Sequence, residues 1–177
     1  MTVAVLQHMP LQDGGIHVDM EGSGVAYYCH RRPGTPCNSE QCIIEYERTI
    51  VALYAGRIAQ YASLPGIDYR DYPESWKSDW TIAAELLCEL SPLVQGVTES
   101  SLYVRAQELI LRNWSTIESL TSALWERPIV QMPRSEFEKG WSQGRKRQEK
   151  VLSRSDVQEF FARLRITCLL WPDCCGE

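Results

Sequence analysis

Residues 49–60, TIVALYAGRIAQ, constrain the fold more than any other stretch of this chain. Apolar residues recur before and through this run at helical spacing until Pro65, and this pattern predicts a long helix with one buried face. Gly56 interrupts the helix, although a glycine inside a helix costs stability relative to alanine. We therefore expect the Gly56 side of this helix to pack closely against the helix predicted around residues 109–120.

The remaining patterns predict a mainly α protein, of the α+β class, with a small β-element at its start. Residues 3–31 combine turn signals with short alternating runs, which is typical of two or three strands. Helical spacing and capping residues predict further helices over 75–90, 100–126 and 135–148, and from Ser155 onward. A length of 177 residues suits a single domain. This domain divides into a β-element and loop (1–36), a helical core (37–165) and a C-terminal tail (166–177).

The charge and the apolar runs of the chain limit where it can act. A net charge of −5 and a pI near 5.3 argue against general binding to nucleic acids or anionic membranes. The sequence has no apolar run as long as a membrane-spanning helix, and its first residues lack the pattern of a signal peptide. We therefore expect a cytoplasmic protein whose seven cysteines are reduced, most of them as small buried side chains.

Five segments, in order along the chain, carry a family resemblance. They are GVAYY at 24–28, the VALYAGR core within 49–60, SDWTIAAE at 78–85, the predicted helix over 105–127, and MPRSEFE at 132–138. Together they resemble the peptidase domain of the FtsH-type ATP-dependent zinc metalloproteases. The resemblance covers most of the chain, and it implies a helical bundle with a small β-element.

The same resemblance places Asp79 at a zinc-ligand position. In that family the other two ligands come from an H-E-x-x-H helix upstream, and its Glu acts as the general base on a zinc-bound water. Here the only histidines are His8, His17 and His30, none of them four residues apart and none followed by Glu. The sequence also lacks the G-x-x-x-x-G-K-[ST] loop that holds nucleotide phosphates. We therefore expect no catalytic residues, no bound cofactor and no peptide hydrolysis in the chain as given.

These expectations leave three functional hypotheses. The first is a non-catalytic binding or assembly module that forms a homo-oligomer and can contact a protein partner. The second is a zinc metalloendopeptidase whose H-E-x-x-H helix lies upstream of this chain. The third is a small metal-binding protein that uses Cys29, His30, Cys37 and Cys42, although the Cys37-x₄-Cys42 spacing only partly fits zinc-ligand pairs. Asp79 also has a purely structural alternative, because an acid in the first turn of a helix complements the helix dipole and caps free N–H groups.

Overall fold

The computed structural model describes residues 1–19, 24–36, 39–63, 74–132 and 147–166, and every structural statement below concerns these residues. The helices are α1 (Thr2–Leu6), α2 (Glu40–Ser63), α3 (Glu74–Leu90), α4 (Glu99–Arg112), α5 (Trp114–Trp125) and α6 (Arg154–Arg163). The strands are β1 (Leu11–Asp19), β2 (Gly24–Tyr28), β3 (Ile129–Met132) and β4 (Arg147–Leu152). The protein is therefore mainly α with a small antiparallel sheet, and the predicted fold class is confirmed.

Helix α2 is the centre of the helical layer. Its apolar stripe, with Ile50 and Val51 fully buried, packs against α3 and α4. Leu86 and Leu90 of α3 and Ala106 and Ile110 of α4 are equally inaccessible and belong to the same cluster. The helical spacing of apolar residues in the sequence corresponds to this buried stripe. The long helix predicted to end before Pro65 is therefore confirmed as α2.

Gly56 does not lie in this contact. The residue is exposed, and a Cβ built on it would meet no heavy atom within 4 Å. The prediction that its side of α2 packs closely against a second helix is therefore wrong. Ala55 and Ile58, on either side of it, are buried instead. A helix turns by about 100° per residue, so one buried neighbour says little about the residue beside it.

The predicted helix over 100–126 is two helices, α4 and α5, separated at Asn113. The Asn113 amide Nδ2 donates to the Leu109 carbonyl oxygen at 2.8 Å, and the Asn113 backbone leaves the helical region with φ −119° and ψ 22°. A short amide side chain that bonds to its own helix competes with the backbone ladder. The apolar spacing continues through the break, which is why the sequence pattern does not reveal it.

The sheet draws on both ends of the chain. Its strand order is β2-β1-β4-β3 with antiparallel neighbours, and Ile16 of β1 faces Leu152 of β4. Its inner face and helices α5 and α6 enclose a second apolar cluster that includes Leu11, Leu124 and Phe161. Two sequence predictions are wrong here. Residues 2–6 form a helix where strands were expected. Residues 147–148 begin strand β4, where the predicted helix over 135–148 was expected to end; residues 135–146 lie outside the described part of the chain.

Gly15 fixes the junction between β1 and the start of α6. Its φ is +71°, and an added Cβ would lie 2.0 Å from the Leu152 carbonyl oxygen. The β1–β2 register shifts between Leu11 and Ile16, so the glycine sits in an irregular part of the strand. Only a residue without a side chain fits this backbone and this close approach. Ser153 then caps α6 through a capping box with Asp156, so the helix begins two residues earlier than the predicted Ser155 cap.

None of the helices in the described part of the chain has the length and apolar content needed to cross a membrane.

Candidate functional site

The family's zinc-ligand position, Asp79, lies near the loop that follows β2. Desolvation by surrounding protein atoms raises the pKa of the Asp79 carboxyl, although the residue as a whole is exposed, and the nearby His30 acts in the opposite direction. Burial, and secondly the charge of Asp79, raise the pKa of Tyr28 to about 12. The ring centroids of Tyr28 and His30 are 5.8 Å apart. The fold therefore gathers Tyr28, His30 and Asp79, which are distant in sequence, at one place.

The described residues around Asp79 do not fit a zinc site. A protein zinc site needs at least three protein ligands, and no group of three or more His, Cys, Asp or Glu that could hold a metal occurs among the described residues. His17 lies on the sheet, where its Nδ1 is 2.9 Å from Glu149 Oε2 and its Nε2 is 2.8 Å from the Gly14 carbonyl oxygen. His8 is exposed at the end of α1 with φ 56°.

Asp79 is also not a helix-start residue. Helix α3 begins at Glu74, so Asp79 stands more than one turn inside it. The stabilising effect of an acid on the helix dipole falls off beyond the first turn, and the free N–H groups belong to the first four residues. The prediction that Asp79 caps or complements the start of a helix is therefore wrong.

Cys42, one member of the proposed Cys and His cluster, is not available as a thiolate ligand. Cys42 is buried in the first turn of α2 and is disulfide-bonded, so it cannot act as a thiolate ligand and departs from the expected reduced state. Cys29 is half-buried directly after β2, and His30 is exposed beside it. Cys37, the remaining member, lies outside the described residues, as do Cys168, Cys174 and Cys175.

A polar network that the sequence did not reveal fixes the loop after β2. The Arg31 side chain is only 7% exposed, and its Nη2 donates to the carbonyl oxygens of Thr35 and Pro36 at 2.7 and 2.6 Å. Its guanidinium carbon stands 4.4 Å from the centroid of the Tyr46 ring. The sequence RRPGTP signals a loop, but it does not show that the arginine closes that loop on itself.

Glu89 of α3 joins this loop to α2. One carboxylate oxygen accepts a hydrogen bond from the Tyr46 hydroxyl at 2.6 Å, and the other accepts from the Gly34 backbone N–H at 2.6 Å. These two bonds hold the pKa of Glu89 below its usual range. Glu89 lies ten residues after Asp79, about 15 Å along α3. The loop therefore runs along α3 from the Asp79 end to the Glu89 end. We call Arg31, Gly34, Tyr46 and Glu89 the loop clamp.

The largest exposed apolar side chains near the sheet surround Lys150. Trp125 and Ile129 are 61% and 48% exposed, and Pro128 between them is exposed as well. Lys150 Nζ stands 5.1 Å from the Trp125 ring and donates to the carbonyl oxygens of Trp125 and Arg127. Ile129 faces Lys150 across the β3–β4 pair, and β3 is an edge strand of the described sheet. We call Trp125, Pro128 and Ile129 the Trp125 surface.

A cavity of about 340 Å³ opens beside the Trp125 surface, between the end of α5 and helix α6. Its lining includes apolar side chains, among them Leu152 and Phe160. It also includes charged side chains: Arg127 pairs with Asp156, Arg163 pairs with Glu159, and Glu126 completes the set. The sequence does not reveal this cavity because its lining comes from α5, α6, the end of β4 and the segment after α5, which lie apart along the chain.

Comparison with protein-family models, with curated proteins and with solved structures finds no match.

Proposed function

We propose that this protein is a binding and assembly module, similar to the peptidase domain of FtsH-type proteases but without peptidase activity of its own, that self-associates through the Trp125 surface. The observation that carries the proposal is the exposure of Trp125 and Ile129 on either side of one lysine at the end of a sheet. Tryptophan is enriched among the residues that dominate interface energies. Adjacent exposed apolar side chains, in contrast to scattered ones, mark interaction sites.

A second copy of the chain is the partner that this surface fits best. In a two-fold dimer the same surface meets itself, so each Trp125 packs against the Ile129 and Pro128 of the other copy. The flanking Lys150 is already engaged with the end of α5, where it satisfies two carbonyl oxygens. It therefore does not place an unpaired charge at the centre of the contact, which would cost free energy on burial.

The resemblance supports the non-catalytic part of the proposal. Asp79, the position that the resemblance assigns to the family's zinc-ligand acid, interacts electrostatically with His30 and Tyr28, and only one of these two residues is a histidine. The small-metal-protein alternative has less support, because the Cys42 sulfur is committed to a disulfide.

Light scattering coupled to size exclusion, at tens of micromolar protein, tests the proposal. We expect the wild-type chain to elute as a dimer. The Trp125→Glu variant should elute as a monomer, because the two introduced carboxylates would face each other across the two-fold axis. Leu111→Glu is the matched control, because Leu111 is 62% exposed on α4, away from this surface. A wild-type monomer, or an equal effect of the two substitutions, would contradict the proposed surface.

A further inference from the structure

The cavity beside the Trp125 surface has the size and lining of a binding site. Its volume of about 340 Å³ falls within the range of about 300 to 1,000 Å³ that is typical of ligand pockets. Ala123, Pro128, Leu152 and Phe160 supply its apolar lining. These apolar groups suit the carbon stem of a long side chain rather than a compact ion.

The charges of the lining decide the sign of the ligand. Three carboxylates and two guanidinium groups face the cavity, which leaves a net charge of minus one. Arg127 is neutralised by Asp156, and Arg163 is neutralised by Glu159. The Glu126 carboxylate makes no hydrogen bond or ion pair with other described residues. The uncompensated charge of the cavity is therefore that of Glu126.

Glu126 also stands at the electrostatically unfavourable end of a helix. It is the C-cap residue of α5, in the helical region with φ −73° and ψ −14°. The C-terminus of a helix carries partial negative charge, so a carboxylate there is unfavourable for the helix, and Lys150 Nζ supplies the compensating cation by donating to the carbonyl oxygens of Trp125 and Arg127. A residue that breaks a local rule without an evident structural gain points to a role in binding.

We infer that this cavity binds a lysine or arginine side chain of a peptide, with the carbon stem against Leu152 and Phe160 and the cationic head at Glu126. Lysine and arginine bury their stems along apolar surface while the charged head stays in a polar environment. The head placed at Glu126 meets the one carboxylate of the lining that makes no ion pair with the described residues. This binding function goes beyond the proposed self-association, and the two sites share Pro128.

The test is an amide NMR titration with two capped peptides, Ala-Lys-Ala and Ala-norleucine-Ala, which share a carbon stem and differ in the ammonium group. We expect the lysine peptide to shift the amide signals of Ala123, Glu126 and Phe160 saturably. The norleucine peptide is expected to bind at least about tenfold more weakly, the ratio that a charge-assisted hydrogen bond supplies. Equal binding of the two peptides, or shifts confined to other parts of the molecule, would overturn the inference.

Glu126→Gln separates a binding role from a structural one. We expect this variant to bind the lysine peptide no better than the norleucine peptide, while its melting temperature stays the same or rises. Glu85→Gln is the control, because Glu85 is an exposed acid on α3 away from the cavity, and it should bind as the wild type does. Wild-type affinity in Glu126→Gln would refute the role of Glu126.

The same titration on Trp125→Glu distinguishes this inference from the proposed assembly. Peptide binding by a protein that stays monomeric would leave the inference standing without the dimer. Because Pro128 belongs to both sites, the monomeric variant decides the other case: if monomeric Trp125→Glu binds neither peptide, the inference fails whether or not the wild type forms a dimer.

Discussion

The loop clamp gives the sharpest stability prediction, through Tyr46→Phe. Tyr46 is 2% exposed, and its hydroxyl donates to the Glu89 carboxylate at 2.6 Å. A hydrogen bond to a charged group contributes about 1.5 to 3 kcal/mol, and we expect a loss near 1.5 kcal/mol because the half-buried carboxylate can regain water. For a chain of this size that loss lowers the melting temperature by roughly 3 to 6 °C. Tyr103→Phe is the control: no hydrogen bond of the Tyr103 hydroxyl occurs among the described residues, and its effect should stay within about 0.5 kcal/mol.

The pH dependence of the same variant tests the mechanism. The Tyr46 hydroxyl and the Gly34 N–H hold the pKa of Glu89 below its unfolded value. The stability that comes from this lowered pKa is present above the ordinary Glu pKa of about 4.3 and is lost as the pH falls through the folded pKa. Chemical denaturation of wild type and Tyr46→Phe, at neutral and at acidic pH, should therefore give a gap in unfolding free energy that narrows on acidification.

A double-mutant cycle completes this test. Tyr46→Phe and Glu89→Gln should couple by at least about 0.5 kcal/mol, because the two side chains are in direct contact. Additive effects of the two changes, or a gap that is the same at both pH values, would refute the charged hydrogen bond between them.

Three further predictions concern glycines and tyrosines. Gly15→Ala should lower the unfolding free energy by more than about 3 kcal/mol in denaturant titration, because the strain of a positive φ adds to a clash in which the new Cβ lies 2.0 Å from a backbone oxygen. Gly96→Ala is the control: its φ is +84° and the space around it is open, so it should lose only the strain energy of about 1 kcal/mol. Equal losses in the two variants would argue against the clash. Gly56→Ala should stabilise by about 0.5 to 1 kcal/mol, since the site is exposed and open; a loss of stability would mean that the Gly56 face packs after all. Tyr28 and Tyr54, each with a pKa raised to about 12, should resist ionisation in an ultraviolet titration while the fold holds, and stability should fall as the pH rises above about 10 because the unfolded tyrosines ionise first.

The sequence predicted the helices whose apolar spacing is visible within a single segment of the chain. The apolar period located α2 to within a few residues, and the helix from Glu74 to Leu90 was expected over nearly the same range. A period reports which side of a helix is buried, because burial repeats with the helical turn. It does not report which residue of a neighbouring helix lies opposite, so the inferred close packing of Gly56 failed.

The parts that the sequence missed depend on contacts between distant residues. Strand β4, RQEKVL, is mostly charged or polar, and its identity as a strand comes from pairing with β1, more than 130 residues earlier in the chain. The bond between Tyr46 and Glu89 is of the same kind, as is the approach of His30 to Asp79. No local propensity encodes such pairs, since tertiary contacts override the weak preferences of short segments.

Zinc content is the measurement that tests most directly whether this chain is a binding module without peptidase chemistry. The purified protein, dialysed against zinc and then analysed by mass spectrometry for bound metal, should hold far less than one equivalent, and it should not cleave casein. A chelator should leave its melting temperature unchanged, because no metal-binding free energy is coupled to folding. One equivalent of tightly bound zinc that is lost in Asp79→Asn, together with casein cleavage, would contradict the account.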